Sequence, residues 1–394
     1  MKPMPLEELR EFHRSFLQDD LIPYWYKHGI DHELGGFTNC IQDDGTQITD
    51  DKYMWSQGRG LWTFAHYCKH YDQSDTPRQI TEKTRDFLLK HARDEKGEWA
   101  YRLSRTGERL ERSTSIYGDI FAAYGLHECA RALDDDETFD VAVATVRRIM
   151  ERIRQPDFTD VAPFELKPGY TLQGVFFLTL SVLTPLLEDR PDPQFEEDAA
   201  WCVHRIVEKH MDPERKLNVE MLDPDDKPAD FAQGRDYVPG HGVECAWILM
   251  LEARRKNDKA LLWKALTILR WHFDIGWDQE CGGIFWWLNI DGEEPFEKNW
   301  TYKLWWPHAE SLLACILGYE LSGEDWCMDW YWKMHEYSFR TFTDRESGEW
   351  HQRMDRHGNL TTETLVLPVK DPFHLPRAVM FCIESLDAIL ARER

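Results

Sequence analysis

The stretch Gly282-Gly283-Ile284-Phe285-Trp286, followed by a turn at Asp291-Gly292 and then by Lys303-Leu304-Trp305-Trp306-Pro307-His308-Ala309-Glu310, decides how the chain folds. A glycine pair opens a short aromatic strand, a second glycine turns the chain back, and a helix starts soon after. The same order recurs. Gly35-Gly36-Phe37 precedes Asp43-Asp44-Gly45, Gly97-Glu98-Trp99 precedes Arg105-Thr106-Gly107, and Gly348-Glu349-Trp350 precedes Arg356-His357-Gly358. A weaker copy runs from Lys216-Leu217 through Asp225-Asp226. Helices open after most of these hairpins, at Trp55–Trp62, Ile116–Tyr124, His241–Trp247, Trp305–Glu310 and His374–Arg377. Elsewhere apolar residues at three- and four-residue spacing predict helices, among them Leu6–Leu21, Ile80–Ala92, Thr138–Ile153, Phe195–His210, Ala260–Phe273 and Trp326–Phe339. Units of about 60 residues, roughly six over this length, imply stacking into a closed ring. The expected fold class is therefore all-α: an (α/α)6 barrel with short β-hairpins crowding one rim, in a single catalytic domain over residues 1–394. No Val/Ile-rich strands alternate with the helices, which argues against a Rossmann or TIM fold.

Bulk properties narrow the function. The 71 acidic and 47 basic side chains give a formal charge of −24, a surface that repels nucleic acid and anionic membranes and favours a neutral substrate. Eighteen tryptophans suit a wide cleft that binds sugars. The nine cysteines are scattered, odd in number and form no CxxC pair, which points to free thiols in a reducing cytoplasm. The N-terminal twenty residues carry no signal-peptide core. The apolar stretch Leu172–Leu187 is too short and too interrupted to span a bilayer.

Two histidines occupy matching places. His241 follows Pro239-Gly240 and precedes Glu244 by three residues; His374 follows Pro372-Phe373 and precedes Arg377 by three. Residues i and i+3 share a helix face, so each imidazole has a fixed ionic neighbour. A helix N-terminus disfavours the imidazolium, which predicts neutral rings suited to general-base work, with Glu244 orienting His241. In Lys52–Trp62, Trp55, Arg59 and Trp62 fall on one face, and the guanidinium suits an oxyanion. Trp306 and Glu310 lie one turn apart, offering a sugar platform and a carboxylate to orient a histidine. The spacing contains no HExxH and no Cys/His cluster, so no metal is expected.

Four ordered motifs, KYMWSQGRGLW (52–62), PGHGVECAW (239–247), KLWWPHAESL (303–312) and FHLPRA (373–378), resemble the N-acylglucosamine 2-epimerase family over nearly the whole chain. That family also takes in cellobiose 2-epimerases and mannose or aldose-ketose isomerases, and its (α/α)6 barrel agrees with the repeats. The resemblance implies a sugar 2-epimerase acting on N-acyl-D-glucosamine and N-acyl-D-mannosamine, with an epimerase or isomerase of unmodified sugars as the alternative. It implies His241 and His374 as the acid/base pair, Arg59 at the substrate oxygen and Glu244 and Glu310 in support. Trp55, Trp306, Arg377, Tyr117 and Phe176 are the expected substrate-binding residues. His374 is expected to take the proton from the gluco form. No cofactor is implied beyond a nucleotide, ATP, as activator only, and the implied assembly is a cytoplasmic homodimer. One departure stands out. Lys167–Phe177 lacks the histidine of the NPHMH-like segment in the cellobiose branch, and so looks more like the N-acylglucosamine branch, although it also lacks that branch's Pro-Met pair.

Overall fold

The computed structural model of the chain describes residues 3–112, 114–361 and 367–392. In chain order the helices are α1 (Leu6–Ser15), α2 (Ile22–His28), α3 (Met54–His70), α4 (Asp75–Phe87), α5 (Ile116–Leu133), α6 (Asp136–Ile153) and α7 (Gln173–Asp189). They continue with α8 (Pro193–Arg205), α9 (Pro239–Lys256), α10 (Lys259–Gly276), α11 (Trp305–Ser322), α12 (Asp325–Thr341) and α13 (His374–Arg392). The odd-numbered helices from α3 to α13 form an inner ring, each packed on the next. Trp62 of α3 closes that ring, edge-on to Phe373 at 5.9 Å and to Phe381 of α13 at 5.6 Å. Outside it, α4, α6, α8, α10 and α12 each cover the inner helix before them, and α1 covers α13. The N-terminal helix thus completes the last unit, and the result is an (α/α)6 barrel.

Side-chain pattern sorts the two rings. Helix α4 buries Pro77, Ile80, Thr81, Thr84 and Phe87, a single stripe at helical spacing that leaves the opposite face to water. Helix α7 is apolar all round and exposes only Glu188 and Asp189 at its end. A helix wrapped in apolar residues belongs inside. The run Leu172–Leu187, which shows no stripe in sequence, therefore supplies the third inner helix, the one that the sequence pattern left unassigned. Three expected helices also change pitch near their ends, where π-turns occupy Phe16–Leu21, Leu88–Ala92 and Ile206–His210. Inner helices approach closely at glycine. A Cβ on Gly58 of α3 would lie 2.2 Å from the Phe121 carbonyl oxygen of α5.

The rim hairpins are tighter than expected, and their strands pair across units. Gly282 and Gly283 both have positive φ, so the chain closes on the single bridge Trp277↔Ile284; Gly35 and Gly36 do the same at Ile30↔Phe37. The residues entering an inner helix then pair antiparallel with the following hairpin: Lys52–Tyr53 with Arg102–Leu103, Lys303–Leu304 with Arg353–Met354 and Asp236–Tyr237 with Leu288–Asn289. The repeat extends to charged groups. Lys52 Nζ lies 3.1 Å from Asp31 Oδ2, and Lys303 Nζ lies 3.1 Å from Asp278 Oδ2, with both lysines buried. Arg105 and Arg356 reach the same two aspartates. One turn into the following helices, Gln57 Oε1 accepts from the Phe37 N–H at 2.7 Å and His308 Nε2 from the Ile284 N–H at 2.9 Å. These contacts hold every hairpin of that type against the mouth of the ring.

Candidate active site

The N-terminal ends of the six inner helices converge on a cavity of about 280 Å³. Each helix contributes residues from its first two turns. Trp55 and Arg59 come from α3, Tyr117 and Phe121 from α5, and Gly174, Phe177 and Leu178 from α7. His241 and Glu244 come from α9, Trp305 and Trp306 from α11, and His374 from α13. Trp286, Trp287, the Ala162–Phe164 loop and rim residues that include Gln352, Arg353 and Val369 make up the rest of the wall. Trp306 lies between the two histidines, its ring 5.4 Å from His241 and 5.5 Å from His374. Gly240 makes this possible, because a Cβ there would meet the Trp306 ring at 2.7 Å.

Both imidazoles have Nδ1 fixed by a carboxylate. His374 Nδ1 donates to Glu310 Oε1 at 2.7 Å, and His241 Nδ1 donates to Glu220 Oε1 at 2.9 Å. Nε2 is the nitrogen left for the cavity on each ring. Their protonation differs. Burial, with the Arg59 and Arg377 guanidiniums nearby, pushes His374 down to about 3. Glu310 does little to reverse this, because its Oε1 also accepts from Arg377 Nη2 at 2.6 Å, while Oε2 accepts from Trp247 Nε1 at 2.7 Å. At His241 burial again opposes the charge, but Glu220, reinforced by Glu244, raises the ring above its ordinary value. One ring is thus held neutral and the other is biased to the imidazolium, the separation that assigns base and acid in a shared site.

The partner of His241 corrects the sequence expectation. Glu244 does not orient it; Glu244 Oε1 instead accepts from Arg377 Nη2 at 3.2 Å. Glu220 stands between the strands Leu217–Asn218 and Met221–Leu222, and Gln173 fixes its other oxygen at 2.9 Å. The helix dipole therefore does not leave His241 neutral. A helix terminus is worth about 0.3–1 kcal/mol at such a group, against about 1.5–3 kcal/mol for a hydrogen bond to a charged one. In sequence Glu220 stands out only as an acid between Val219 and Met221, which says nothing of its partner.

Arg59 lies 4.1 Å from the Phe121 ring centroid and 4.7 Å from that of Trp55, with Nη1 3.3 Å from Asp371 Oδ2. Two other expected residues sit differently. Arg377 is buried under the cavity floor, stacked 4.0 Å from the Phe373 centroid, where it bridges Glu244 and Glu310. Phe176 faces away from the cavity, edge-on to Trp201 at 5.3 Å, and Phe177 takes the inward place. Successive helical residues differ by about 100°, and here that step turns Phe176 to the outer side of the helix while Phe177 and Leu178 line the cavity. Glu244, Glu310 and His374 bring ligand-type atoms within 4.8 Å of one another, but the Arg377 guanidinium already lies against both carboxylates.

Known proteins resemble this chain in sequence and in fold. The chain is 30% identical to mouse N-acylglucosamine 2-epimerase over 386 residues, covering 95% of this chain and 91% of that protein. It is 29% identical to the human protein of the same name over 413 residues, covering 99% and 96%. The solved structure of cellobiose 2-epimerase from Spirochaeta thermophila DSM 6192 has the same fold, with a TM-score of 0.83, 20% identity and 98% of each chain covered. Residues 35–378 match the family described as N-acylglucosamine 2-epimerase (GlcNAc 2-epimerase), and the chain belongs to that family.

Proposed function

We propose that the chain is an isomerase that inverts C2 of N-acyl-D-glucosamine to give N-acyl-D-mannosamine, and the reverse, by proton transfer between two histidines. The observation that carries this reading is the pair of imidazoles flanking Trp306, each with Nδ1 anchored on a carboxylate and with opposite protonation bias. In the open-chain sugar the aldehyde acidifies the C2 hydrogen. The neutral His374 removes it from the gluco form, and the electron pair passes into the C1 carbonyl to give an enolate, its oxyanion on C1 and the acylamino group still on C2. Arg59 stabilises that charge, which is absent from the ground state. The protonated His241 then delivers its proton to the other face of C2. Glu310 and Glu220 hold the rings in register, and Arg377 and Glu244 support them from below. Trp55, Tyr117 and Trp306 are the sugar-facing surfaces.

The N-acyl preference rests on the names of the mouse and human relatives and on the wall that replaces a histidine in the α7 segment. Phe177, Leu178 and Pro163 add apolar surface to the cavity wall, which suits an acyl methyl better than a second sugar hydroxyl. The reading takes the whole barrel as one catalytic domain in a cytoplasmic homodimer, with no nucleic-acid or membrane partner. It needs no cofactor and leaves ATP the role of activator only. The deciding experiment is incubation in D2O with N-acetylglucosamine, mannose and cellobiose in turn, followed by NMR. Deuterium at C2 of N-acetylglucosamine with N-acetylmannosamine as product is expected. Exchange confined to mannose or cellobiose overturns the substrate and favours the alternative, a ketose product marking an isomerase.

A further inference from the structure

The barrel has a second mouth. The C-terminal ends of the inner helices enclose another cavity, of about 260 Å³, lined by Trp62, Tyr124 and Trp247 at its floor and by charged residues towards solvent. Trp62 stacks on Tyr124 with centroids 5.3 Å apart and planes 1° from parallel, so an aromatic layer separates this space from the catalytic side. Carbonyl ends of six helices point this way, which biases the mouth towards cations.

His66 and His70 stand one turn apart on α3, the i, i+4 spacing that puts two imidazoles on one helix face. Glu128 of α5 faces both. His66 Nδ1 lies 2.9 Å from Glu128 Oε1, and His70 Nε2 lies 3.9 Å from the same oxygen, too long for a hydrogen bond. Tetrahedral coordination at about 2.1 Å sets neighbouring ligand atoms roughly 3.4 Å apart, a spacing that these two distances bracket. The outer arrangement is the one metal-bound histidines use. His66 Nε2 lies 2.6 Å from Glu384 Oε1, and a ring nitrogen held by a carboxylate fixes the tautomer of the one that binds the ion. Arg131 occupies the other Glu128 oxygen at 3.0 Å and leaves Oε1 to the site.

We propose that this mouth binds one divalent transition-metal ion, with His66 Nδ1, His70 and Glu128 Oε1 as ligands and Glu384 as the carboxylate that orients His66. Imidazole and carboxylate together suit zinc, cobalt or nickel rather than magnesium or calcium. The ion takes the place of the proton between His66 and Glu128, which leaves to solvent. The proposal does not depend on the epimerase reading.

The test is calorimetric titration of the untagged full chain with ZnCl2, paired with visible absorption on adding CoCl2. One zinc per chain and the bands of tetrahedral cobalt are expected. His70 is partly exposed and makes no short hydrogen bond among the described residues, so H70A keeps the metal-free melting midpoint while its zinc affinity falls more than tenfold. E384Q, also partly exposed, weakens binding on the order of tenfold. H374A and C281S, at the other end of the barrel, bind zinc as the unmodified chain does. Failure of the unmodified chain to bind, unchanged affinity in H70A and E384Q, or loss of binding in H374A each overturns the proposal.

Discussion

At the scale of single residues, the opposed protonation of the two histidines sets the pH behaviour. Turnover from the gluco form needs neutral His374 and protonated His241. His374 is held down to about 3, so no loss from this group is expected between pH 5 and 7. His241 is raised above 6.5, and activity falls as pH climbs through its pKa. Replacing Glu220 by Gln removes the charge that raises it. E220Q is expected to move the alkaline limb of kcat/KM to lower pH and to reduce kcat by about tenfold or more. A pH–rate profile with an unmoved alkaline limb would sink the assignment of Glu220. H374A should lower kcat by about 10²–10⁴-fold and suppress C2 exchange in D2O, the range typical of losing a general base. Residues with chemical signatures at helix mouths, His241, His374 and Arg59, were legible in sequence because the repeat puts each near the start of an inner helix, and those starts share one cavity. Glu220 was not, since it reaches His241 through a strand-to-helix contact that no periodicity encodes.

Among elements, the ring depends on two devices, close glycine contacts and buried ion pairs. A methyl group on Gly58 meets the Phe121 carbonyl at 2.2 Å, and backbone cannot move aside as a flexible side chain would. G58A is expected to cost about 1–3 kcal/mol and to lower the melting midpoint, with Arg59 and Phe121 displaced together. The Lys303–Asp278 pair gives a sharper test. Asp278→Ala leaves a buried ammonium with no buried counter-charge, a change that costs about 3–5 kcal/mol. Burial, opposed by Asp278, already holds Lys303 down to about 8, so the stranded lysine sheds its proton readily in mild alkali. The destabilisation of D278A should therefore shrink between pH 6 and pH 9, and D278A/K303M should recover the pH-dependent part of it, while the loss of the Asp278 contacts to Arg356 and to the Glu280 and Cys281 N–H groups remains. A pH-independent penalty in chemical denaturation would contradict that account. The hairpins that hold these pairs were visible in sequence as glycine turns. Helix α7 was not visible as an element, because a segment buried on every side has no stripe to read.

Across the whole molecule, closure of the ring by the N-terminal helix was invisible in sequence, since α1 and α13 lie at opposite ends of the chain and no local pattern couples them. Packing throughout the barrel buries histidines in a way that governs acid stability. His13 and His308 are pushed down to about 3 by burial, and His210, His272 and His335 to about 4. The unfolded chain binds protons at these sites near pH 6.5, and the folded chain does so only near pH 3–4. Stability must therefore fall as pH drops through this window, by about 1.4 kcal/mol per pH unit for each such histidine. His241 has the opposite sign. Its raised pKa contributes stability that is fully present below pH 6.5 and is lost as pH rises through the folded value, so it leaves the acid slope untouched. His335 isolates one of these protons. Its ring packs 4.5 Å from Phe339 and 5.2 Å from Phe12, and neither nitrogen has a hydrogen-bond partner among the described residues. H335F replaces that ring with one of similar shape and no polar atoms. It should raise stability at pH 7 by about 1 kcal/mol and flatten the slope between pH 6.5 and 4.5 by about 1.4 kcal/mol per unit. Urea titrations at several pH values measure both quantities, and an unchanged slope in H335F would mean that His335 is already protonated in the folded chain.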